Sequence, residues 1–145
     1  MTYRERLLGN WRLVSFTAVG ADGKVYYPMG QGLVGAIMYT ADGRMSVQLM
    51  GPDRPKLDSP AYGAGTEAEW AAAARSFFAY AGTFSVDEAG PSVTHHVEMA
   101  LNPYWAGRDQ TRHIGFDGGD LVLSGASPTT SGAVDTAYVR WRRFA

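Results

Sequence analysis

Apolar and polar positions alternate with period two along most of this chain. Over 11–19, Trp11, Leu13, Ser15, Thr17 and Val19 fall on one side and Arg12, Val14, Phe16 and Ala18 on the other, which predicts a strand. Two further runs, 33–40 and 45–50, flank Ala41-Asp-Gly-Arg44. An Asp-Gly pair between apolar runs is a hairpin signal. More strands are predicted over 82–87, 93–101, 109–116, 121–124 and 134–144, with Asp117-Gly-Gly-Asp120 as a second tight turn. The segment 51–65 contains Pro52, Pro55 and Pro60 and reads as a long loop, of the kind that covers a site. Residues 4–8 read as a short helical turn closing one end. Thr66-Glu-Ala-Glu69 is a capping box. The alanine-rich stretch behind it predicts a helix over 66–80, ended by Gly82. Trp70, Ala73, Ala74, Phe77 and Ala81 form the stripe that would pack on the sheet. About eight strands joined mostly by short turns, with one helix packed on them, predict an all-β fold: an antiparallel up-and-down barrel in a single domain over 1–145.

The strand 93–101 carries the most chemistry. Thr94, His96 and Glu98 share one face; Val93, His95, Val97, Met99 and Leu101 share the other. His96 and Glu98 are therefore candidates for an acid–base pair. Alternation by itself sorts polar side chains outward, which makes them an ordinary solvent face and turns His95 inward. His95 then reads either as a core imidazole bonded to a carbonyl or as the polar group that orients a ligand. A hairpin centred near Trp105 would set Glu98 opposite Arg112 and His113 opposite Val97, on the face of His95. A slip of one residue would gather His96, Glu98 and His113 into a metal triad, but no ligand spacing repeats; no metal and no cofactor is assigned. Arg112 shares a face with Gln110. An inward arginine there would bind a carboxylate or enolate oxygen; a surface one would pair with Glu98.

Composition narrows the function classes. The 145 residues carry 13 basic and 14 acidic side chains, a net charge of −1, so no field recruits nucleic acid or an anionic membrane. There is no cysteine, which excludes disulfides and thiolate catalysis. No run approaches a membrane span or a signal-peptide core, and a cytoplasmic protein is expected. Eight Tyr, six Phe, four Trp and six Met supply much large, adaptable apolar surface. It either fills a core or lines a cavity. In the second case Tyr39, Met50, Phe77, Tyr80, Met99, Tyr104 and Trp105 join His95, Arg112 and His113 as candidate ligand contacts. The glycine spacing of 30–35 resembles a dinucleotide fingerprint, but no βαβ unit surrounds it.

Several segments, in order along the chain, resemble the lipocalin-like domain family of bacteria and fungi. They are Leu7-Leu-Gly-Asn-Trp-Arg-Leu-Val-Ser-Phe16, Gly35-Ala-Ile-Met-Tyr-Thr-Ala-Asp-Gly-Arg-Met-Ser-Val47, Ala79-Tyr-Ala-Gly-Thr-Phe84, Val93-Thr-His-His-Val-Glu98, Leu101-Asn-Pro103 and Trp141-Arg-Arg143. The resemblance implies a calycin-type barrel with an internal apolar cavity. It also implies that Trp11 plugs the closed end beneath a basic residue of the last strand, Arg140 or Arg142. It brings no assigned catalytic residue.

The expected function is binding of a small, mostly apolar molecule inside the barrel, with a homo-oligomer an open possibility. A cofactor-independent cyclase or isomerase, templating a polyketide- or terpenoid-type substrate in the same cavity, is the alternative. A third reading is a non-enzymatic module whose barrel is filled by side chains.

Overall fold

The computed structural model describes residues 1–145. Nine antiparallel strands form one sheet: β1 (Gly9–Val19), β2 (Val25–Tyr26), β3 (Val34–Tyr39), β4 (Arg44–Met50), β5 (Phe77–Asp87), β6 (Ser92–Ala100), β7 (Asp109–Asp117), β8 (Asp120–Pro128) and β9 (Val134–Arg143). Pairing of β1 with β9 closes eight of them into a barrel, while β2 is a short extra strand on the end of β1. The predicted up-and-down barrel is thus the observed one. The turn between β7 and β8 is the two-residue kind read from the sequence: Gly118 and Gly119 both take positive φ, +58° and +91°, and Asp117 pairs with Asp120.

The first helix, α1 (Tyr3–Leu7), has its own capping box from Thr2 and Glu5. Glu88, in the β5–β6 turn, accepts hydrogen bonds from the backbone N–H groups of Tyr3 and Arg4 at 2.9 and 3.0 Å. The helix is thereby pinned across one mouth of the barrel, with Leu7 fully buried. Beneath it the Trp11 indole donates to the Leu7 carbonyl at 2.8 Å. The guanidinium above Trp11 is that of Arg143, 4.1 Å from the ring, donating to the carbonyls of Leu8 and Arg6. It is neither Arg140 nor Arg142. Arg143 is paired directly with Trp11 and shares the inward parity of Trp141, whereas Arg140 and Arg142 face outward. Those two grip Asp120 at 2.8 Å, and their hydrogen bonds, that of Arg142 first, hold its carboxyl well below the ordinary 3.8.

The second helix, α2 (Glu67–Arg75), starts at the predicted capping box but stops at Ser76, before the expected 80. Residues 77–81 belong to β5 instead. Met50, Leu49 and Val47 of β4 pair there with Phe77, Phe78 and Tyr80, and ladder bonds with alternating burial outweigh helix propensity. The helix buries no residue, and Trp70 is half exposed, so the expected apolar stripe does not pack on the sheet.

Two bulges re-aim side chains. In β1 the register shifts between Leu13 and Ser15, so Phe16 and Ala18, rather than Ser15 and Thr17, continue the inward row behind Trp11 and Leu13. In β6 the pairing runs from Gly82↔Val97 to Ala81↔Met99, leaving Glu98 as the extra residue. Beyond it Met99 and Leu101 face solvent and Ala100 turns in. Gly82 makes this possible: a Cβ there would stand 1.9 Å from the His96 carbonyl oxygen.

Candidate ligand-binding site

The β6–β7 register decides which polar groups enter the barrel. His95 pairs with Gln110 and Val93 with Arg112, five residues away from the symmetric hairpin expected around Trp105. The turn is longer and lopsided: Val97 bonds to Gly107 and Arg108 instead of continuing the ladder. An odd shift exchanges faces. Arg112 therefore comes inward with His95 and Gln110. His113 goes outward opposite Ser92, and Glu98 never meets Arg112.

His96 and Glu98 lie on the outer face. His96 bonds through Nδ1 to Asp109 and through Nε2 to Ser85, both at 2.9 Å, and Glu98 pairs with Arg44. The structure does not bring His96, Glu98 and His113 together. Met50 and Met99 are also on the outer surface, and Tyr104 is exposed at the rim against Trp105 and Arg108. Phe77 sits outside the barrel under Arg54.

Inside, His95 is 1% exposed and stands between two phenols. The Tyr39 hydroxyl is 2.6 Å from Nε2 and the Tyr80 hydroxyl 2.5 Å from Nδ1. Burial first, then the Arg112 and His96 charges, push the imidazole down from 6.5 to about 3. Burial likewise pushes Tyr80 up to about 12 and Tyr39 well above 10, with Arg112 a smaller opposing influence. All three are neutral at pH 7.

The hydrogen-bond network assigns their protons. His95 is the sole partner of the Tyr39 hydroxyl, which is packed edge-on against Phe84. Were it only an acceptor, its own hydrogen would be buried unpaired, at a cost of about 1–3 kcal/mol. Tyr39 therefore donates to Nε2. Neutral His95 then carries its proton on Nδ1 and donates to Tyr80. The Tyr80 O–H is left free to donate elsewhere, and Tyr80 lines the cavity.

That cavity is a half-open pocket of about 220 Å³, and 12 of its 17 lining residues are hydrophobic. Phe16, Ile37, Leu49, Phe78, Leu123 and Val139 supply apolar wall, with Trp105 also in the lining; Tyr80, His95, Gln110, Arg112, Ser127 and Trp141 supply polar groups. An apolar hole of about 150 Å³ admits benzene, so this one admits a substituted ring. A neighbouring hollow of about 440 Å³, between α2 and residues 100–105, shares Phe78, Tyr80 and Trp105 with it. The loop 51–65 contributes to neither. Of the candidate contacts read from sequence, His95, Tyr80, Trp105 and Arg112 line the cavity, and Tyr39 supports it from behind. Trp141 and Phe16 were missed as contacts. The alternation Ala137, Val139, Trp141 in β9 carried the signal for the first; the β1 bulge hid the second.

A family model described as a lipocalin-like domain matches residues 8–144. A protein of Aspergillus oryzae named 4′-hydroxy-3′-methoxypropiophenone carrier protein ppsC is 34% identical over 107 residues, covering 69% of this chain and 96% of that protein. No solved structure matches the chain.

Proposed function

The chain belongs to the lipocalin-like domain family, and from that premise we propose that it binds a small, mostly apolar molecule inside its barrel. The observation that carries the reading is a mostly apolar cavity, 12 of its 17 lining residues hydrophobic, with the Tyr80 hydroxyl placed to donate into it. Enclosure supplies affinity, and a buried donor fixes orientation by bonding a carbonyl or ether oxygen. The carrier relative is named for an aryl ketone, a molecule of that description, and supports the same class for this chain.

Fluorescence titration with 4′-hydroxy-3′-methoxypropiophenone tests the proposal, since Trp105 and Trp141 line the cavity. Saturable quenching is expected, and Ala137→Phe, which fills the cavity, abolishes it while the far-ultraviolet dichroism stays native. If small aryl ketones leave the fluorescence and the melting temperature unmoved, the barrel is no carrier.

Tyr80 also favours a second reading, a cyclase or isomerase without cofactor, because a preorganised donor polarises a bound carbonyl. In that case Tyr80→Phe abolishes turnover of a substrate that the variant still binds.

A further inference from the structure

Three polar groups of the cavity, on Tyr80, Arg112 and Trp141, carry donors without a partner, while Gln110 and Ser127 can donate or accept. Tyr80 offers its O–H. Arg112 donates to one backbone carbonyl, that of Thr111 at 3.0 Å, and its remaining N–H groups have no protein partner. The Trp141 indole is 2% exposed, and its N–H is the one buried side-chain polar atom in the molecule without a hydrogen-bond partner. Gln110 adds an amide with no side-chain bond of its own. No Asp or Glu lines the cavity; of the 17 lining residues only Tyr80, His95 and Arg112 titrate, and Tyr39 behind them is a neutral phenol.

The fold makes room for this cation. Gly125 lies against Arg112: a Cβ there would approach its Cδ to 3.0 Å and its guanidinium to 3.1 Å. Gly125 pairs with Ala137, and Ala137 with Ala18, so small residues run across β8, β9 and β1 beside the arginine. Every other inward position around it is apolar or neutral. Arg112 is only partly buried and no carboxylate pairs with it, so its guanidinium is open to an anion in the cavity.

We propose that the cavity takes a small apolar acid, whose ring occupies the apolar wall and whose carboxylate is received by Arg112 and Tyr80. A carboxylate only accepts hydrogen bonds, which matches the unpartnered donors of Arg112, Tyr80 and Trp141. The inference rests on the cavity-binding reading above and deepens it from an apolar molecule to an acidic one. Trp141 supplies a second, neutral donor for an oxygen elsewhere on the same ligand.

The test compares 2-naphthoate with 2-naphthamide, a neutral molecule of the same shape, by tryptophan fluorescence at pH 7. Naphthoate is expected to bind at least about tenfold more tightly. Arg112→Met removes that preference and leaves naphthamide affinity within about twofold, and Arg112→Lys restores part of it. If the two probes bind wild-type protein equally, or the amide binds and the acid does not, the proposal is overturned while the apolar-carrier reading stands. Equal losses for both probes in Arg112→Met make Arg112 a packing residue and overturn it too. Binding of neither probe, when the aryl ketone of the preceding test does bind, overturns the acid proposal alone; failure of all three overturns both readings.

Discussion

The Tyr80 hydroxyl approaches Nδ1 of His95 to 2.5 Å, and that contact links a core histidine to the lining of the cavity. Because Tyr39 holds the other ring nitrogen, the imidazole is locked in one tautomer, and the spare hydrogen of the chain emerges on Tyr80. The two tyrosines therefore predict different phenotypes. Tyr80→Phe lowers stability by roughly 1–3 kcal/mol, since Nδ1–H loses its acceptor, and also weakens binding of an oxygen-bearing ligand about tenfold. Tyr39→Phe lowers stability by a similar amount but weakens binding less than Tyr80→Phe does, because it frees the His95 tautomer while keeping the Tyr80 hydroxyl in the cavity. Urea unfolding and ligand titration on the two variants check this.

His95 also predicts the acid limb of stability. Its pKa is about 3 in the folded protein and 6.5 without the fold. The unfolded chain therefore binds the extra proton first. Stability is full above 6.5 and falls as pH drops from 6.5 toward 3, with a slope of at most about 1.4 kcal/mol per unit. Urea unfolding at closely spaced pH values reads that slope. His95→Gln should flatten it between pH 5 and 6.5, above the range where carboxylates begin to protonate.

The bulge in β6 depends on Gly82. Gly82→Ala drives a methyl group into the His96 carbonyl, 1.9 Å away. A loss on the order of 3 kcal/mol is expected, visible as a lower melting temperature. An unchanged melting temperature would mean that β5 and β6 can pair without the bulge.

At the closed end, Arg143→Ala removes a guanidinium from the Trp11 face and two hydrogen bonds to carbonyls. About 1–3 kcal/mol of stability is expected to go, with ligand affinity unmoved because the cavity lining does not include Arg143. Chemical denaturation beside a binding titration separates the two effects.

His96→Ala and Glu98→Ala are expected to leave binding and any turnover intact. Their side chains sit on the outer face, His96 hydrogen-bonded to Asp109 and Glu98 paired with Arg44, each an exposed contact worth at most about 1 kcal/mol. Loss of function in either variant, with the fold retained, would move the chemistry to the outside of the barrel.

Much of the architecture was legible in the sequence because it is set by local rules. Period-two alternation marks strands wherever one face is buried, and Asp42-Gly43 and Gly118-Gly119 encode tight turns through positive φ. Thr66 and Glu69 mark a helix start through short-range hydrogen bonds. These interactions span a few residues, so a few residues suffice to read them. The short strand 77–81 was not legible as a strand: its alanines and aromatics suit a helix, and only pairing with β4 decides otherwise. Three further decisions belong to the tertiary structure. The lopsided turn after β6 moved the register by an odd number and brought Arg112 inside. The bulges at Val14 and Glu98 exchanged the faces of the residues beyond them. Closure of β1 on β9 set Arg143, not its neighbours, over Trp11. In each case one residue of slip reverses which side of a wall a side chain occupies, and the slip is fixed by a partner strand distant in sequence.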